Sequence, residues 1–84
     1  MKLYYITFRS VTFAQRAEKL LSGSQVRCSL QRTPRWMEAQ GCGYALRVWT
    51  REPQATLQLL KNHNIPMRRL YIQQEDGQLE ETAL

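Results

Sequence analysis

Apolar and polar residues alternate along four short segments of the chain, and apolar residues recur at three- and four-residue spacing along two longer ones. Residues 3 to 8, Leu-Tyr-Tyr-Ile-Thr-Phe, predict a first strand rich in aromatic and β-branched residues. Tyr4, Ile6 and Phe8 share one of its faces, and Leu3, Tyr5 and Thr7 the other. Ser10 is placed to cap a helix in which Phe13, Ala14, Ala17, Leu20 and Leu21 form an apolar stripe, with Gly23 at its end. Val26, Cys28 and Leu30 alternate with Arg27 and Ser29 in a second strand. Tyr44, Leu46 and Val48 alternate with Ala45, Arg47 and Trp49 in a third. A second helix opens at Thr50 or Glu52, with Pro53 near its first position, Thr56, Leu57, Leu59 and Leu60 on its apolar side, and Asn62 and Asn64 at its end. Residues 67 to 72 predict a last strand, with Leu70 and Ile72 facing away from Arg69 and Tyr71.

The order strand, helix, strand, strand, helix, strand predicts an α/β (α+β sandwich) fold. Its simplest form is the ferredoxin-like split βαβ arrangement, a four-stranded antiparallel sheet with two helices on one face. The first strand is expected to pair with the third. The connector between the second and third strands is too long for a tight hairpin turn, and loops of that length are often functional. From Gln73 onward the chain is polar and acidic. Residues 1–74 are therefore expected to form a single domain and residues 75–84 a flexible tail.

At 84 residues the chain has material for one core. Its formal charge is +5, unevenly spread. All Lys and Arg lie between residues 2 and 69, whereas Glu75, Asp76, Glu80 and Glu81 sit in the tail. So basic a body favours an anionic partner: nucleic acid, a phosphorylated ligand or an acidic protein face. A solvated surface balanced by its own tail is the plainer account. The N-terminus lacks the pattern of a secretory signal, and no run of apolar residues is long enough to span a membrane. A cytoplasmic location is expected. With only Cys28 and Cys42, no CxxC pair and one histidine, a disulfide framework and a structural zinc site are not expected. Nothing in the sequence calls for a cofactor.

The segment Gly41-Cys42-Gly43 carries the candidate chemistry. In the expected topology the first strand ends, and the second and third meet, at one edge of the sheet. Arg9, Ser10, Arg35, the 31 to 43 loop and the start of the first helix then cluster there. Cys42 falls within reach of free backbone N–H groups, and nearby positive charge favours its thiolate. The flanking Gly41 and Gly43 leave room for a partner to approach the sulfur. Cys28, between Val26 and Leu30, is a small inward-facing apolar residue. His63, at a helix end and far from Cys42 in this arrangement, is a capping or surface residue. No paired carboxylates and no Cys-His-Asp set argue for a stand-alone enzyme.

The pieces Tyr5-Ile6-Thr7-Phe8 with Ser10, Ala17-Glu18-Lys19-Leu20-Leu21, Thr33-Pro34-Arg35, Gly41-Cys42-Gly43-Tyr44-Ala45-Leu46-Arg47 and Asn64-Ile65 resemble the selenium/sulfur carrier protein-like family. The likeness covers about residues 3 to 72. It implies a small protein that holds sulfur or selenium on the cysteine matching Cys42, taking it from a desulfurase-like donor and giving it to a thiol or selenium-utilising acceptor. Family members often have a serine-rich lead before this cysteine. Here Glu38-Ala39-Gln40-Gly41 stands in its place, without the hydroxyls that would bond to a persulfide.

A second account starts from the outward face of the sheet. Tyr5, Arg27, Arg47, Trp49, Arg69 and Tyr71 are expected there together. Aromatic rings mixed with arginines suit a nucleic-acid platform, on which bases stack while guanidiniums meet phosphates. The third strand lacks the glycine-aromatic signature of such modules. The same composition suits a protein-binding face or a homodimer.

Overall fold

The computed structural model describes residues 2–33 and 43–84. Its elements run β1 (Lys2–Thr7), α1 (Val11–Gly23), β2 (Arg27–Arg32), β3 (Tyr44–Thr50), α2 (Pro53–Asn62), β4 (Leu70–Gln73) and β5 (Leu79–Thr82). The strands form one antiparallel sheet in the order β2-β3-β1-β4-β5, with both helices on one face. The fold is broadly ferredoxin-like. β1 pairs with β3 from Lys2↔Thr50 to Thr7↔Ala45, as the alternation predicted, and with β4 on its other side at Tyr5↔Tyr71.

The two-residue period sorts the side chains between faces. Tyr4, Ile6, Leu46, Val48 and Leu70 turn toward the helices and form the main core with Ala14, Ala17 and Leu21 of α1 and Leu57 and Leu60 of α2. Ile6, Phe8, Leu21, Leu46 and Leu60 are completely or almost completely buried. Alanine at 14 and 17 keeps the contact face of α1 small, so the helix lies close to the sheet. Glu18 of the same helix reaches the outer edge of β2, where its Oε2 accepts from the Leu30 N–H at 3.1 Å.

Both helices end at the expected residues, Gly23 and Asn62, and each then turns through a left-handed residue. Gly23 is the last helical residue of α1, but Gln25 takes the left-handed conformation (φ 64°), and Val26 N–H closes the turn on Leu21 O. The Val26 contact with the core sets where the chain must turn, and it outweighs the preference for glycine. In α2, Asn64 (φ 58°) does the same, with Ile65 N–H donating to Leu60 O at 3.0 Å. Asparagine tolerates this region better than most residues.

The expected four-stranded sheet needs correction, because Leu79–Thr82, within the segment expected to be a tail, is a fifth strand paired with β4. Gly77 (φ 86°) makes the turn, where Gln74 N–H donates to Gln78 O at 2.8 Å and Gly77 N–H to Gln74 O at 2.9 Å. Leu79 packs beside Tyr71, Tyr5 and Ala45 on the outward face. Glu81 meets Arg69 at 3.1 Å. The acidic composition of the segment hid a glycine turn and an unpaired edge of β4 ready to accept a strand. β4 itself starts at Leu70 rather than at residue 67, after the clamp at its entry: Arg68 N–H donates to Thr7 O at 2.8 Å, and Arg69 N–H to Thr7 Oγ1 at 3.1 Å.

Candidate functional site

The end of the sheet at which β1 gives way to α1 is built by local rules. Thr7 pairs with Ala45 and Ala45 with Gln31, so the ends of β1 and β2 and the start of β3 share one edge. Ser10 has extended backbone and its Oγ accepts from Phe13 N–H at 3.3 Å, which makes it the N-cap of α1. Arg9 beside it is exposed. Across the edge, Thr33 N–H donates to Gly43 O at 2.9 Å, so residues 33 and 43 are tied together. Gly43 has φ 83°, a backbone that side chains rarely adopt, and open space where a Cβ would stand. Its conformation, rather than crowding, is what calls for glycine. Thr33 Oγ1 is buried there with no hydrogen-bond partner among the described residues.

Cys42, Gly41 and Arg35 lie outside the described residues. The structure brings Ser10, Arg9, Thr33 and Gly43 to one end of the sheet as expected. His63 is the exposed C-cap of α2, as expected, and the chain five residues later enters the sheet beside Thr7, toward this same end.

Cys28 is half-buried under α1. Its Sγ donates to Glu18 O at 3.8 Å and lies 3.6 Å from Ser22 Oγ. Burial pushes its thiol pKa up, the Ser22 hydrogen bond partly opposes this, and the Glu18 carboxylate adds to the rise. A thiol held in its neutral form against a helix is a poor nucleophile.

The outward face carries the other candidate group. Ser29, Arg47, Tyr5, Tyr71 and Glu81 lie in one cross-strand row, and Arg27, Trp49 and Leu3 in the next. Trp49 holds two guanidiniums, Arg27 at 4.9 Å and Arg47 at 4.8 Å from the ring centre, and Arg47 lies 5.8 Å from the Tyr5 ring. Arg47 Nε is buried with no hydrogen-bond partner. Arg69 is engaged by Glu81. All six residues expected on this face are on it. Leu79 and Glu81 share it too, and the composition of the tail gave no sign of that. Rings already stacked by arginines compete with bases, and a carboxylate in the same row repels phosphate.

The sequence matches the family model described as "Putative Se/S carrier protein-like" over residues 3–72. No curated protein and no solved structure matches the chain.

Proposed function

Because the chain belongs to the Se/S carrier protein-like family, we propose that it carries sulfur or selenium on Cys42, between a desulfurase-like donor and a thiol or selenium-utilising acceptor. The observation that carries the choice of residue is the state of Cys28. That thiol is half-buried, hydrogen-bonded and raised in pKa by burial, which leaves Cys42 as the remaining thiol. The hydrogen bond from Thr33 to Gly43, the residue after Cys42, lies beside the capped start of α1 and supports this reading.

The transfer balances without an added oxidant. The Cys42 thiolate attacks the terminal sulfur of a donor persulfide, a new S–S bond forms on Cys42, and the donor departs as its own thiolate. An acceptor thiolate then attacks the outer sulfur and releases Cys42 as thiolate. A selenium atom passes by the same exchange as a selenosulfide. Positive charge and backbone N–H groups near the loop favour the anionic forms at each step. The chain needs no further catalytic residue, and a reducing cytoplasmic setting suits it.

Intact mass after incubation with a cysteine desulfurase and free cysteine tests this. The wild type and Cys28→Ser gain the mass of one sulfur, lost again on reduction, and Cys42→Ser gains none. A gain on Cys42→Ser that disappears in Cys28→Ser would transfer the chemistry to Cys28. No gain on any protein would remove the carrier function.

A further inference from the structure

Both helices cover one face of the sheet, and the charges on the other face are divided between its two halves. Arg27 and Arg47 lie on β2 and β3, and no carboxylate among the described residues pairs with either. Glu81 lies on β5, where it pairs with Arg69 of the same half at 3.1 Å, and Glu75 and Asp76 in the turn that leads to it leave that half net acidic. Between the halves lie half-buried Leu3 and Tyr5 of β1, with half-buried Trp49 on β3 and Leu79 on β5 to either side. β1 is the middle strand of the five. The face is therefore complementary to itself under one operation.

We propose that this face binds a second copy of the chain, packed face to face about a two-fold axis that runs along β1. That axis lays β3 over the partner's β4 and β2 over its β5, while β1 crosses its own counterpart at Tyr5. Glu81 of the partner subunit then stands one strand spacing from Arg47 and one pleat repeat from Arg27, about 5 and 7 Å in projection. Both guanidiniums reach it. A two-fold axis across the strands would instead set β3 on β3 and the arginines against each other, so the charges select the first axis. Isologous contacts need this kind of self-complementarity, and twisted sheets pack in this aligned way.

Five strands about 4.8 Å apart and about six residues long at roughly 3.3 Å each outline a face near 24 by 20 Å. Two such faces bury on the order of 1,000 Å², the small end for a specific interface. The dimer accordingly dissociates on dilution. The inference does not depend on the carrier reading, since Cys42 takes no part in it.

Sedimentation velocity over a concentration series, with charge-reversed variants, tests it. The wild type shows a reversible monomer–dimer equilibrium. Arg27→Glu/Arg47→Glu, with acid on both halves, loses dimer affinity by roughly tenfold or more, and so does Glu75→Lys/Glu81→Lys, with base on both halves. Mixed one to one, the two variants associate again, as a heterodimer seen by native mass spectrometry. Circular dichroism of each variant alone confirms its fold, and recovery on mixing is beyond the reach of an unfolded chain. A wild type that stays monomeric throughout, or variants that fail to recover together, overturns the proposal. So does a wild type that binds fluorescent oligouridylate through Arg27 and Arg47 without dimerising.

Discussion

Replacing Thr7 by Val tests the clamp that joins β1 to the entry of β4. Thr7 is completely buried, and its Oγ1 accepts from the Arg69 N–H at 3.1 Å. Its own N–H and C=O meet Arg69 O at 2.9 Å and Arg68 N–H at 2.8 Å, and Val keeps both of these. Val also fills nearly the same volume, so the change isolates the hydroxyl. A part-buried donor deprived of its acceptor costs about 1–3 kcal/mol. A domain of this length has total stability of about 4–13 kcal/mol, so the loss is a large share of it. In urea, with a slope near 1 kcal/mol/M for so small a chain, a loss of about 2 kcal/mol lowers the midpoint by about 2 M. Thr7→Ser, which keeps the oxygen and loses a methyl, is the control and falls by about 1 kcal/mol or less. Equilibrium unfolding followed by tryptophan fluorescence reads both. If Thr7→Val unfolds within about 0.5 kcal/mol of the wild type, the hydroxyl does not hold this junction, and the argument from the buried bond is wrong.

Leu46 is fully buried in β3 between its neighbours Ile6 and Leu30, and Leu46→Ala costs about 2–5 kcal/mol in the same assay. Ser10→Ala removes the N-cap of α1 and costs about 0.5–2 kcal/mol, whereas Ser10→Asp holds most of it; a loss from both would point to a different role for Ser10. Cys28 has a thiol pKa raised by burial, so its neutral form belongs to the folded state. Its contribution to stability is fully present below the unfolded thiol pKa and fades as pH rises through the folded one. Wild type should therefore lose stability relative to Cys28→Ala only in the alkaline range, and a loss confined to acid would contradict the sign. Alkylation followed by peptide mass should modify Cys28 more slowly in the folded protein than in urea.

Much of the fold was legible because alternation in β1, β2, β3 and β4 is strict and each strand has one face on the helices. Tyr4, Ile6, Leu46 and Val48 had one place to go, and the pairing of β1 with β3 followed. β5 was hidden because Leu79 stands alone among polar residues. Its strand exists through pairing with β4, the turn at Gly77 and the contacts of Glu81 and Gln74 rather than through an apolar face of its own. Gln25 took a position that the glycine rule assigned to Gly23, because tertiary contact at Val26 determined the turn. The outward face was predicted residue by residue, but its division into basic and acidic halves needed the fifth strand. For the candidate site, Ser10 as a cap and Gly43 as a backbone residue were readable from residue type alone. The clamp at Thr7 was not, because it joins residues 62 apart in the chain.

Glu18 has a consequence for how the chain behaves in a crowd. β2 is an end strand, and its outward N–H groups offer a template on which a stranger could lay a strand. The far end, β5, carries Glu80 and Glu81, while β2 carries Arg27 and Arg32. Opposite charge at the two ends would otherwise invite copies to queue edge to edge, a growth with no natural stop. By taking the Leu30 N–H for itself, the Glu18 carboxylate blocks the middle of that template and places a negative charge where β5 of another copy would arrive. One helix side chain thus guards the open edge of the sheet against strand addition.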